Sequence, residues 1–118
     1  MKKLAVKVMP SGELTKIDLG EGDELSILQN AVDGLIQPID FFGFTMWVNE
    51  EGLLRNDLTP NFAVRAFYST PIMGNVIFTG AVDDEGDTLP LSEDVVKLIE
   101  AVCLSLIHIS EPTRLRRI

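Results

Sequence analysis

The stretch Phe44-Thr45-Met46-Trp47-Val48-Asn49-Glu50-Glu51-Gly52-Leu53-Leu54 organises the chain. Phe44, Met46 and Val48 alternate with Thr45, Trp47 and Asn49, the period of two expected of a strand whose two faces meet different surroundings. Asn49-Glu50-Glu51-Gly52 is turn chemistry, the kind that closes a hairpin, and a short apolar run leaves it. The first set belongs to a core. The second carries the only tryptophan of the chain, which either packs under a helix or faces a ligand.

Toward the N-terminus, Leu4-Ala5-Val6-Lys7-Val8 alternates and stops at the turn signal Pro10-Ser11-Gly12. Leu14-Thr15-Lys16-Ile17-Asp18-Leu19 alternates again, so the pair reads as a β-hairpin. The apolar set Leu14, Ile17, Leu19 slips phase once, which predicts a bulge or kink. After Gly20-Glu21-Gly22, Asp23 is placed to cap a helix over 24–33. Glu24 sits in its first turn, Leu25, Leu28 and Val32 fall at helical spacing, and Gly34 takes the C′ position. Leu35–Asp40 resumes an extended pattern in which Pro38 argues for a sheet edge or a strand end, and Phe41-Phe42-Gly43 turns the chain back into Phe44.

Toward the C-terminus, Thr59 and Pro60 have the chemistry of an N-cap and first residue of a short helix. Val76–Val82 is a nearly continuous apolar run suited to a central strand, and Asp83-Asp84-Glu85-Gly86-Asp87 is an acidic loop. Ser92 then caps a last helix with Glu93 and Asp94 in its first turn and Val95, Leu98, Ile99 and Val102 on one face. The order gives an α+β fold: a mainly antiparallel sheet of about five strands, with two main helices and one short helix packed on one face.

Residues 104–114, LSLIHISEPTR, share none of this patterning. They resemble a translated sequencing adapter, a transposase end sequence whose codons give these eleven residues in one frame, with 115–118 continuing into an index. The reading therefore divides the chain into a single domain, 1–103, and a non-native tail, 104–118, which is set aside from fold reasoning. The only histidine, His108, falls in the tail, as do Arg114, Arg116 and Arg117.

The whole chain carries −8; without the tail, 7 basic residues face 17 acidic ones, a net of −10. Such a surface repels phosphates, so direct nucleic-acid binding is not expected. One cysteine, Cys103, admits no internal disulfide. The apolar run after Lys3 ends at Pro10, too short for a signal peptide, and no run is long enough to span a membrane. The expected location is the cytoplasm.

Standard catalytic signatures are missing: no cysteine pair, no histidine outside the tail, no glycine-rich phosphate loop. Asp83, Asp84, Glu85 and Asp87 offer oxygen ligands for a hard cation, but their spacing lacks the late glutamate of an EF-hand loop. A solvated connection is the simpler account, and no metal or cofactor is expected. Glu50 and Glu51, adjacent on a turn, point apart and make a poor acid–base pair. A polar–aromatic set remains as candidate ligand-binding residues: Trp47, Asn49, Asn61, Arg65, Phe67 and Tyr68. Aromatic rings stack bases, and Arg and Asn read phosphates and base edges.

Several of these pieces, in order, resemble one family. They are Leu25-x-x-Leu28-Gln29-x-x-Val32-x-Gly34-x-Ile36 after an N-terminal hairpin and Val48-Asn49-Glu50-Glu51-Gly52. Asn61 after a proline, Ile72-x-Gly74-x-Val76-Ile77-x-x-Gly80, Asp83-Asp84-Glu85-Gly86 and Leu91-Ser92 complete the set. The pattern is similar to the domain-of-unknown-function family numbered 3846. The resemblance implies a phage or mobile-element accessory protein and brings no catalytic residues. The leading expectation is a non-catalytic counter-defence protein that sequesters a host nucleotide signal, forming a homo-oligomer to build its pocket. One alternative is an acidic decoy that binds a host nuclease or regulator. Others are a small metal-dependent enzyme acting on nucleotides and an interaction domain of phage replication or packaging.

Overall fold

The computed structural model describes residues 3–21, 23–41, 43–54, 57–61, 64, 67 and 72–110, with 21, 53 and 104–110 described as backbone. Five strands form one antiparallel sheet: β1 (Leu4–Val8), β2 (Leu14–Asp18), β3 (Ile36–Phe41), β4 (Phe44–Asn49) and β5 (Val76–Gly80). Their order across the sheet is β2-β1-β5-β4-β3. The apolar run β5 is central, with all five residues buried, as a strand covered on both faces must be. It ends at Gly80 rather than Val82, which makes an isolated bridge to Thr88 across the acidic loop.

The two long helices, α1 (Glu24–Val32) and α2 (Glu93–Ser110), lie on opposite faces of the sheet, not on one. Alternation along the strands shows this directly. Val6, Val8, Phe44, Met46, Val48, Val76 and Phe78 pack with Val96, Ile99 and Cys103 of α2. Ala5 and Ile77 pack with Leu28, Ala31 and Val32 of α1, and Ile17, Ile36 and Trp47 join them. A one-faced arrangement would leave Ala5, Ile77 and Trp47 in water, so each face has its own helix.

The same two-sidedness removes the expected bulge in β2. The β1–β2 register is unbroken from Leu4↔Asp18 to Val8↔Leu14. Leu14 reaches the α2 cluster and Ile17 the α1 cluster, so the phase slip records a change of face. Leu19, in a 3-10 turn beyond the strand, is buried in the α1 cluster.

β3 is an edge strand. The Glu50 N–H donates to Leu35 O at 2.8 Å, and the β3–β4 register continues that pairing. By antiparallel alternation Leu35, Gln37, Ile39 and Phe41 bond inward, while Ile36, Pro38 and Asp40 present their backbone to the free edge. Pro38 thus has no N–H where one would be unpaired, which protects the edge from a second strand.

Other details differ from the sequence reading. The left-handed residue ending α1 is Asp33 (φ 62), not Gly34, whose N–H donates to Gln29 O at 3.0 Å; an aspartate tolerates that conformation better than most side chains. Asp23 precedes the helix in extended conformation without a side-chain bond to its backbone; its carboxylate accepts the Ser26 hydroxyl at 2.8 Å instead. Asn49-Glu50-Glu51-Gly52 does not close a hairpin but leads into a 3-10 turn, Gly52–Leu54. Pro60 is extended, in a bridge with Met73, and does not open a helix; residues 62–63 and 65–66 of the expected short helix lie outside the described residues. Ser92 Oγ caps α2 by accepting the Val95 N–H at 3.3 Å, as its sequence indicates, and the helix continues to Ser110. Its buried stripe is Val96, Ile99 and Cys103, with Val95 partly buried against it, while Leu98 is 49% exposed.

Candidate functional site

The sheet divides the six candidate ligand-binding residues. Trp47 stands on the α1 face, half-buried, and its Nε1–H donates to Thr79 Oγ1 at 2.8 Å, which fixes the indole against β5. Phe67 is on the opposite face, in an aromatic cluster with Phe41, Phe44 and Phe78; its ring centre lies 5.2 Å from that of Phe78. One small ligand cannot touch both without crossing the core. Arg65 and Tyr68 lie outside the described residues.

The two asparagines are built into the fold. Asn49, buried, donates through Nδ2 to Val32 O at 3.0 Å and Asp33 O at 3.2 Å. Its Oδ1 accepts the Glu51 N–H at 2.8 Å. Asn75 Nδ2 donates to Ala31 O at 3.1 Å. Together they satisfy carbonyls that every helix C-terminus leaves without an intrahelical partner. Asn61, 1% exposed, donates to Val8 O at 3.0 Å and Gly74 O at 2.9 Å. It ties the end of β1 to the segment leading into β5, and its Oδ1 has no hydrogen-bond partner.

The acidic loop is organised by its own backbone. Asp83 Oδ1 accepts the N–H groups of Glu85 (3.0 Å) and Asp87 (2.8 Å), an Asx-type turn that needs no ion to hold it. Carboxylate oxygens of Asp83, Glu85 and Asp87 all lie within 4.8 Å of one another. Glu50 and Glu51 are both exposed.

A family model described as "Domain of unknown function (DUF3846)" matches residues 1–103. The chain belongs to that family. No curated protein and no solved structure matches this DUF3846 chain.

Among the described residues, open depressions lie at both ends of α1. At its start, about 210 Å³ is lined by Glu24, Leu25, Leu28, Ile36, Trp47 and Asp87, among others. At its end, one of about 380 Å³ is lined by Asn30, Asp33, Leu35 and Glu51, and another of about 380 Å³ by Asp33, Asp57, Asn75 and neighbours. Carboxylates therefore flank α1 at both ends. Leu25 and Leu35 stand 51% and 52% exposed beside them. Sequence reasoning found Trp47 but not Glu24, Leu25, Ile36 and Asp87 around it, since these come from α1, β3 and the acidic loop and meet only in the fold. Leu25, which helical spacing puts in one stripe with Leu28 and Val32, is not part of the buried stripe of α1, which is Leu28, Ala31 and Val32. On the described residues no α-helix is long and apolar enough to cross a membrane.

Proposed function

We propose that this DUF3846 chain is a non-catalytic accessory protein of a phage or mobile element, acting in the cytoplasm by binding, and that its α1 face docks a basic protein of the host such as a nuclease or regulator. The carrying observation is the charge layout: Glu24, Asp33, Glu51, Asp57 and Asp87 line the depressions on either side of α1. Carboxylates grouped at both ends of α1 steer and orient a cationic partner. It opposes a nucleotide, whose phosphates would meet Glu24 and Asp87 beside the aromatic ring.

Nucleotide sequestration remains a second reading through Trp47, whose half-exposed indole offers a stacking surface. In that form a second copy of the chain supplies the cationic groups, and the homo-oligomer is part of the site.

The test captures partners of the full chain from bacterial extract, identifies them, and measures binding of each purified partner against salt. A cationic partner whose affinity falls as salt rises supports docking. A partner without basic surface, held equally at high salt, contradicts it. A parallel panel of linear and cyclic nucleotides separates the alternatives. A nucleotide that raises Tm and is recovered unchanged after denaturation establishes sequestration, and one recovered altered establishes an enzyme.

A further inference from the structure

The depression at the start of α1 has a narrower chemistry than the acidic face around it. Trp47 lines it, held in place by its bond to Thr79 at 2.8 Å. Leu25, Leu28 and Ile36 give it apolar walls, Asp87 gives it negative charge, and Glu24 adds a carboxylate whose charge Lys3 partly offsets. An aromatic ring, an apolar wall and two carboxylates together complement a cation carried on an aliphatic stem. At about 210 Å³ the depression has room for one long side chain.

Glu24 has acceptor capacity to spare. Its Oε2 holds Lys3 Nζ at 3.1 Å, while Oε1, shielded from solvent, has no hydrogen-bond partner. An arriving donor meets Oε1 only once the Glu24 side chain turns it toward the depression, and then satisfies an oxygen that is otherwise idle.

We infer that this depression receives a single arginine side chain from the partner protein. The stem lies along Leu25 and Ile36, and the guanidinium rests against the Trp47 indole between Glu24 and Asp87. Arginine fits better than lysine because a planar guanidinium stacks on an indole and donates to carboxylates from a fixed fork. The inference rests on the proposed docking role of the α1 face and names the group that this face reads.

The experiment titrates the full chain with the blocked tripeptide acetyl-Gly-Arg-Gly-amide and with its lysine and citrulline counterparts. The readout is the NMR signal of the indole N–H, which is unique because the chain has one tryptophan. A saturable shift with the arginine peptide is expected, weaker with lysine, and at least about fivefold weaker with neutral citrulline. Asp87→Asn is expected to weaken arginine binding about two- to fivefold, the scale of one partly exposed ion pair, with Tm unchanged. An unmoved indole signal, an equal response to citrulline, or an Asp87→Asn variant of unchanged affinity overturns the inference. The two proposals fail separately. A chain that captures a cationic partner with salt-dependent affinity but ignores the arginine peptide keeps its docking face and loses this pocket. A chain that binds the peptide but captures no cationic partner keeps the pocket and loses the docking role.

Discussion

At the scale of single residues, Gly80 is tightly constrained. A Cβ there would sit 2.5 Å from both Leu89 O and Pro90 O, backbone atoms that cannot rotate away. The reason is local: Gly80 N–H donates to Leu89 O at 2.8 Å, and Leu91 N–H donates to Leu4 O at 2.9 Å. Residues 89–91 thus wedge between β5 and β1 where the two strands part. Gly80→Ala should cost about 1–3 kcal/mol, the range of overpacking against atoms that must shift, read as a lowered denaturant midpoint. Asn61 is constrained by charge instead of space. Its Nδ2 faces two carbonyls, so Asn61→Asp, which replaces a donor by an anion, should destabilise more than Asn61→Ala, itself worth about 2 kcal/mol. Cys103 is fully buried, and burial pushes its thiol up from 9.0 to about 11. The neutral thiol is the form the fold favours. Its contribution is therefore complete below pH 9 and lost between about pH 9 and 11, as thiolate forms more readily in the unfolded chain. Alkylation at pH 8 should be slow in the folded protein and fast once it is unfolded.

At the scale of elements, the strands and helices were legible in the sequence because alternation and helical spacing are local. The central position of β5 followed from its apolar run, and Pro38 signalled a sheet edge or a strand end, of which the fold uses the edge. What was not legible is which neighbour each face meets. In α2, Leu98 and Ile99 look equivalent by spacing, yet Ile99 is buried and Leu98 is half-exposed. Ile99→Ala should therefore cost about 2–4 kcal/mol, while Leu98→Ala should stay within about 0.5 kcal/mol, a contrast that thermal denaturation will show. Asn49 teaches the same lesson for the candidate site. Its residue type suggested a ligand, and its place beside the C-terminus of α1 makes it a helix cap. No sequence signal distinguished these, because the carbonyls it serves are 16 and 17 residues away. Trp47 was legible as a residue and not as a site, since its neighbours arrive from three separate segments.

At the scale of the whole molecule, the acidic excess acquires direction. A net charge of −8 serves solubility; the carboxylates at both ends of α1 also stand beside exposed Leu25 and Leu35 and half-buried Trp47, and this is the face proposed to bind. Binding through that face should weaken steadily with salt, because its charges are rim charges within reach of screening ions. The most direct measurement compares the wild-type chain with the triple variant Glu24→Gln, Glu51→Gln, Asp87→Asn. Each is titrated with the captured cationic partner at low and physiological ionic strength. The α1-face account predicts weaker binding by the variant at low salt and a flatter dependence on salt. Equal affinity and an equal salt slope in the two proteins would contradict it and move the interface elsewhere on the surface.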